Sequence, residues 1–362
     1  MNSPASIRIG PHTLPNRVFL APMAGVTDRP FRQLCRHLGA GYAVSEMVAS
    51  RFDLRTSHQA LRRLCHDGET GPIAVQILGT EPAVMAEAAR AHIGLGAQII
   101  DINMGCPAKK VCHQWAGSAL MQDLDLAIRI VSAVVQACTP HEVPVTLKMR
   151  TGYSASHKNA VQLARRAQDA GAAMITVHGR TRDQRYRGQA EYDTVAAVKA
   201  AVSVPVVANG DIDTPAKACA VLAATGVDAV MVGRAALGRP WVFRDMVHFM
   251  VTGQCLPQPQ VADVKQWVLS HLQDHYALYG DYMGVRTARK HIGWYFGLMP
   301  GGATLCARLN TLDDGLQQSQ AVAAFFDTLA DQLDRWPDAD ALTVVPSRFS
   351  SHSHPPVLES LR

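Results

Sequence analysis

The stretch Asp101-Ile102-Asn103-Met104-Gly105-Cys106-Pro107 sets a thiol between two turn-forming residues. It follows the apolar run Gly96-Ala97-Gln98-Ile99-Ile100, which has the length of a buried strand. The strand should end near Asn103, and Gly105 and Pro107 then force a loop. A cysteine just past a strand's C-terminal end is where an α/β enzyme places a reacting group. The competing reading is a buried, inert cysteine, because free Cys is among the most buried residue types.

Other apolar runs end in polar groups as well. Met23 and Ala24 follow the first, Glu46 the second, and Gln76 lies in the third. Lys148 and Arg150 mark the fifth, His178 and Arg180 the sixth, Asn209-Gly210-Asp211 the seventh, and Gly233-Arg234 the eighth. Each has a plain account: Lys148 snorkelling, His178 a satisfied core imidazole, Asp211 a helix cap. Together they point to one site, because burying so many polar groups costs free energy unless they are paired or used. Glycine amides beside a basic residue at Asn209-Gly210-Asp211 and Gly233-Arg234 suit a phosphate, as does a short helix starting at Gly233-Arg234-Ala235-Ala236. The rest of such a ligand would lie against Met23, Gln76, Lys148 and His178. A flat heterocycle such as an isoalloxazine fits that description, with Lys148 stabilising negative charge on its reduced ring and Gln76 bonding its polar edge.

Elements in series must position these groups. Eight apolar runs alternate with helical stretches within about 240 residues, which is the pattern of a (β/α)8 TIM barrel. The runs read as apolar throughout, as buried parallel strands do. Gly39-Ala40-Gly41, Gly94-Leu95-Gly96, Ala170-Gly171-Ala172 and Gly226-Val227-Asp228 each close a helix before the next strand. Ile7 to Asn16 reads as a hairpin over one barrel end. The barrel domain spans residues 1–255. Helical spacing through Val261, Val264, Trp267, Val268 and Leu272, a second helix over 284–296, and segments at 302–309 and 314–334 make 256–336 a helical bundle domain. Residues 337–362 are polar and aperiodic and are expected to be disordered.

Composition narrows the class. The 362 residues are 48% hydrophobic and 18% charged, with 35 basic against 30 acidic residues. A net charge of +5 permits an anionic partner without demanding one. Eight cysteines lie at irregular intervals without a CxxC pair, which implies a reducing, cytoplasmic setting and neither a disulfide framework nor a structural metal. No run has the length of a signal peptide core or a membrane span.

The chain resembles the tRNA-dihydrouridine synthases, and among them the bacterial B-type branch. The resemblance rests on Ala21-Pro22-Met23-Ala24-Gly25-Val26-Thr27-Asp28, Gln76-Ile77-Leu78-Gly79, the Cys106 stretch, Lys148-Met149-Arg150, His178-Gly179-Arg180-Thr181, Asn209-Gly210-Asp211-Ile212 and Val232-Gly233-Arg234. It covers about residues 7–335 and implies a specific chemistry. FMN would sit at the barrel mouth on Pro22, Met23, Ala24, Gln76, Lys148, His178, Asn209, Gly210, Asp211, Gly233 and Arg234, with NADPH as its reductant. Hydride would pass from N5 to C6 of a uracil in the tRNA D-loop, position 17 by the B-type resemblance, while Cys106 protonates C5. The resemblance further implies that Asn103 orients the base and that His178 and Arg180 contact the flavin phosphate or the base. Lys109, Lys110 and Arg182 would face RNA phosphates. It also makes the helical domain an RNA clamp through Arg286, Arg289 and Lys290, whose spacing alone fits an ordinary solvated face equally well. A monomer without metal or membrane contact is the default. Two other readings remain at this level: an FMN barrel oxidising a small molecule such as dihydroorotate, and a non-catalytic RNA-binding barrel.

Overall fold

In the computed structural model, the described residues are 6–50, 65–108, 111–112 and 115–338. A short antiparallel hairpin, β1 (Ile7–Ile9) and β2 (His12–Leu14), precedes β3 (Val18–Leu20). The parallel sheet continues through β4 (Tyr42–Ala43), β5 (Val48–Ala49), β6 (Ala74–Leu78), β7 (Ile99–Met104), β8 (Val145–Arg150), β9 (Met174–His178), β10 (Val206–Asn209) and β11 (Ala229–Val232). Its strand order is β4-β3-β11-β10-β9-β8-β7-β6-β5. β4 and β5 are two pieces of one stave, interrupted between them. Val44 bridges to Ala74, and the Ser45 amide donates to the Ala74 carbonyl at 2.9 Å, so the two ends of the sheet meet and the barrel closes. The eight expected strands are the eight staves, and the fold is a TIM barrel with an added helical region.

The helices begin and end as their sequences dictate. Asp28 caps the Arg29–His37 helix by accepting from the Phe31 amide, and Pro30 sits in its first turn. Gly226 ends the Pro215–Thr225 helix in the left-handed conformation, at φ 67°. Val75, Ile77, Ile100, Ile102, Leu147, Met149, Ile175 and Val177 point outward into the layer shared with the helices. Inside the barrel, the hairpin's Ile7, Ile9 and Leu14 plug one end against Phe19, Tyr42, Val207 and Met231.

One expectation needs correction. The strands are not apolar throughout: towards their C-terminal ends the inward positions are polar, namely Gln76, Asp101, Asn103, Thr146, Lys148, Arg150, Thr176 and His178. Period-two alternation holds there because one face meets the helices and the other lines the site.

A separate apolar cluster organises the helical region. The Val261–Phe296 helix is broken at Gly280, whose φ of 73° and ψ of 168° divide it into the two expected arms. Helices Gly302–Leu309 and Gly315–Ala330 pack against them. Leu34, Leu38 and Trp241 of the barrel's outer layer join this cluster. Residues 339–362, on which the expected tail largely falls, lie outside the described residues.

Candidate active site

A chain of buried hydrogen bonds runs across three neighbouring strands to the Cys106 loop. The Thr146 hydroxyl donates to Asp101 Oδ1 at 2.5 Å, and Gln76 Nε2 donates to Asp101 Oδ2 at 2.6 Å. Asn103 Nδ2 donates to Gln76 Oε1 at 2.7 Å. Asn103 Oδ1 then accepts from the Gly105 and Cys106 amides at 3.1 and 2.9 Å, which fixes the turn before the thiol. On the other side, the Ser118 hydroxyl donates to the Cys106 carbonyl at 2.8 Å. Gly117, at φ 61°, is required here, because a Cβ would meet that carbonyl oxygen at 2.8 Å. Burial raises the Asp101 carboxyl to about 6 against the lowering of its two hydrogen bonds. Burial also raises the Cys106 thiol, and the Ala108 amide and the charges of Arg150 and Lys148 partly offset this. The thiol therefore keeps its proton at neutral pH.

Strand register brings the next groups level with this chain. Asn103 pairs with Lys148 across β7 and β8, and Arg150 pairs with His178 across β8 and β9. Asn209 of β10 is level with His178 on one side and Met231 on the other. Lys148 Nζ donates to Asn209 Oδ1 at 2.9 Å. Burial, and then the Arg150 charge, bring the ammonium down to about 8. Burial pushes His178 well below its usual range, and Arg150, Lys148, Arg180 and Arg234 push it further, so the imidazole is neutral. Four cations around one histidine make this wall strongly positive.

Arg150 marks a strand end in the sequence without a role of its own. In the structure it ties the Cys106 loop to the loop after β9, donating to the Gly105 carbonyl at 2.7 Å and to the Thr181 and Arg185 carbonyls at 2.9 and 2.8 Å.

Arg180 departs from its expected role in contact with phosphate or base. It is buried, and its donors are occupied by the Arg187 and Gly188 carbonyls and by both Asp211 oxygens, at 2.9 and 2.6 Å. Asp211 also accepts from the Ala190 amide and from Arg234 at 3.2 Å. Its carboxylate therefore orients Arg234; placed directly against a phosphate it would repel it. Arg234 remains partly exposed on a short turn, Arg234–Ala236, and stacks over the Tyr186 ring, as does Arg150. Gly210 allows no side chain, since a Cβ would meet His178 at 2.8 Å, whereas at Gly233 the nearest atom would be Met23 Sδ at 3.7 Å. Gly233 thus lies beside the partly exposed Pro22, Met23 and Ala24, where a Cβ would make only ordinary contacts. Gln76 and Asn103 are also more committed than expected, each holding one amide proton within the chain to Asp101.

The basic helix face divides. Arg286 is exposed and lies against Tyr282. Arg289 donates to the Leu312 carbonyl and pairs with Asp313, tying its helix to the following loop. Lys290 turns inward and donates to the Gly25 carbonyl, while the Gly25 amide donates to Glu46. It is therefore a strut between the helical region and the Met23–Ala24 loop, which corrects its placement on an RNA-facing surface. Arg182 pairs with Asp183 and lies over Tyr153. Lys109 and Lys110 lie outside the described residues.

A family model described as Dihydrouridine synthase (Dus) matches residues 19–330. The chain belongs to the dihydrouridine synthase family. A protein named tRNA-dihydrouridine synthase B from Pseudomonas aeruginosa is 55% identical over 320 residues, covering 88% of this chain and 96% of that protein. One of the same name from Vibrio vulnificus is 47% identical, covering 90% and 100%. Among solved structures, histamine dehydrogenase from Rhizobium sp. 4-9 has a TM-score of 0.53 at 11% identity, covering 91% of this chain and 64% of that one. An old yellow enzyme homologue from Zymomonas mobilis has a TM-score of 0.50 at 16% identity, covering 73% and 96%. At those identities the likeness concerns the fold alone. No helix among the described residues of this family member is long and apolar enough to cross a membrane.

Proposed function

We propose that this protein reduces a uridine of the tRNA D-loop, at position 17, to 5,6-dihydrouridine, with FMN as bound flavin and NADPH as reductant. Family membership supports the reaction class. The observation that carries the reading is the pairing of a protonated Cys106, on a loop fixed by Asn103, with the cationic wall of Lys148, Arg150 and Arg234. The same residues fit the cofactor. A phosphate suits Arg234 beside the Gly233 backbone, and a ring that becomes anionic on reduction suits Lys148.

When bound between Lys148 and Arg234, a flavin would supply the hydride for C6 of the uracil. Cys106 gives its proton to C5, which completes the addition of one hydride and one proton across the C5–C6 bond. The thiolate left behind is stabilised by Arg150 and Lys148, both of which lower the thiol's pKa through their charge. Asn103 has one amide proton that a substrate carbonyl can take over, because its other contact from Nδ2 is only to Met47 Sδ at 3.8 Å. The target base must leave the tRNA stack to reach this site. Arg286 with Tyr282, exposed on the helical region, offers a phosphate contact beside an aromatic ring. The protein acts as a cytoplasmic monomer on this reading.

Purified protein incubated with unmodified tRNA, FMN and NADPH should form dihydrouridine, detected by nucleoside analysis and mapped by sequencing. Turnover of free dihydroorotate without change in the tRNA would overturn the assignment.

A further inference from the structure

Three histidines meet where the helical region joins the barrel. His271 and His275 lie one turn apart on the arm before Gly280, and His291 comes from the arm after it. All three are buried, and each offers a ligand atom within 4.8 Å of the others. Asp28, the cap of the Arg29–His37 helix, reaches them from the barrel, with Oδ2 3.3 Å from His275 Nδ1.

Ring stacking accounts for the packing of these side chains but leaves their polar atoms unexplained. Both ring nitrogens of His271 and both of His291 are buried without a hydrogen-bond partner among the described residues. Buried unpaired polar groups each cost about 1–3 kcal/mol, so four in one place call for an occupant. The tautomer of His275 sharpens the point. The Thr287 hydroxyl gives its hydrogen to the Met283 carbonyl at 2.6 Å, so its oxygen must accept from His275 Nε2–H at 2.8 Å. Nδ1 then faces the Asp28 carboxylate at 3.3 Å, a separation at which both can ligate one cation.

We propose that His271, His275, His291 and Asp28 form a transition-metal site, of a kind that suits Zn²⁺, linking both arms of the broken helix to the barrel. Three imidazoles and a carboxylate are a usual ligand set for that ion. Zn–N bonds of about 2.0–2.1 Å set tetrahedral donors about 3.4 Å apart, so the site closes by imidazole rotation on the order of an ångström. Asp28 offsets the positive charge of Lys290, whose Nζ is bound to the Gly25 carbonyl. The cysteine-spacing argument against a structural metal did not reach this cluster, because its ligands are histidines.

The test uses untagged full-length protein purified without chelator. Mass spectrometric metal analysis should find one equivalent of zinc per chain. After chelator treatment, Co²⁺ alone should restore the visible band of a tetrahedral nitrogen–oxygen site, without a thiolate charge-transfer band. The double variant His271→Gln with His291→Gln should lose both signals. Should that variant fail to fold, the wild-type stoichiometry and cobalt spectrum still decide. Absence of zinc together with no cobalt band at excess metal would overturn the proposal. So would a thiolate band, or a signal that survives in a folded double variant, since the metal would then sit elsewhere.

Discussion

Lys148 donates to Asn209 Oδ1 at 2.9 Å, while Asn209 Nδ2 donates to the Met231 carbonyl at 2.8 Å. The ammonium of β8 is thus held in place from β10, with β9 between them. Its remaining protons are free to meet a ligand at the barrel mouth. Asn209 does its work through Lys148 in this arrangement.

That relationship gives a pH dependence with a definite sign. Burial brings Lys148 down to about 8, so the free protein carries its charge below that pH and loses it above. FMN affinity should be flat below about pH 8 and fall as pH rises past it, by at most about tenfold per unit. Lys148→Met should bind more weakly and without that decline. Flavin fluorescence titrations between pH 7 and 9.5 measure it, and a flat wild-type curve would remove Lys148 from the flavin site.

Cys106 yields a kinetic prediction. Cys106→Ala should retain flavin and its reduction by NADPH but lose about 10²–10⁴-fold in dihydrouridine formation. Because burial raises the thiol, alkylation of the wild type by iodoacetamide should be slow at neutral pH and accelerate as pH rises. Rapid alkylation at pH 7, or undiminished turnover by the variant, would refute the proton-donor role.

The barrel was legible because its signals are local and repeated: eight apolar runs, capped helix starts and glycines at helix ends. The interrupted second stave was less so, because Val44 and Ser45 meet Ala74 only once the barrel has closed. The strand-end polar groups could be located in sequence, but their partners could not. Arg180 and Arg234 look alike as cations beside glycines, yet one is enclosed by carbonyls from the loop at Arg187 and Gly188 and the other stays partly exposed. Tyr186 escaped because it lies between Arg185 and Arg187 in a loop, where only the fold brings Arg150 and Arg234 to its ring. His271 and His275 show ligand spacing in the sequence, but His291 joins them only through the break at Gly280.

Asp101 tests the buried chain. Asp101→Ala removes the acceptor of Thr146 and Gln76 together, and each donor left unpaired should cost about 1–3 kcal/mol. The variant should melt earlier than the wild type. It should also lose turnover through a misplaced Cys106 loop, with flavin affinity little changed. Equal loss of flavin and turnover would mean that the chain supports the whole mouth.

The helical region separates two roles for neighbouring cations. Arg286→Ala should weaken tRNA binding and lower the salt slope by about one phosphate contact. Lys290→Met should leave that slope unchanged while lowering stability or flavin affinity, because it frees the Gly25 loop. Binding measured over a salt series, with melting curves for both variants, distinguishes them. Identical salt slopes for the two variants would sink the division.

Arg234 decides the phosphate assignment. Asp211 holds it at 3.2 Å, and the Tyr186 ring supports its guanidinium 5.4 Å from the centroid. Its partial exposure leaves donors for a ligand, unlike Arg180. Arg234→Ala should therefore loosen FMN more than riboflavin, which has the same ring without the phosphate, and raise the Kd of FMN by about tenfold or more. Arg234→Lys should recover part of the affinity, because a point charge replaces the fork without its geometry. An equal loss for FMN and riboflavin would place Arg234 against the ring and leave the phosphate to other groups.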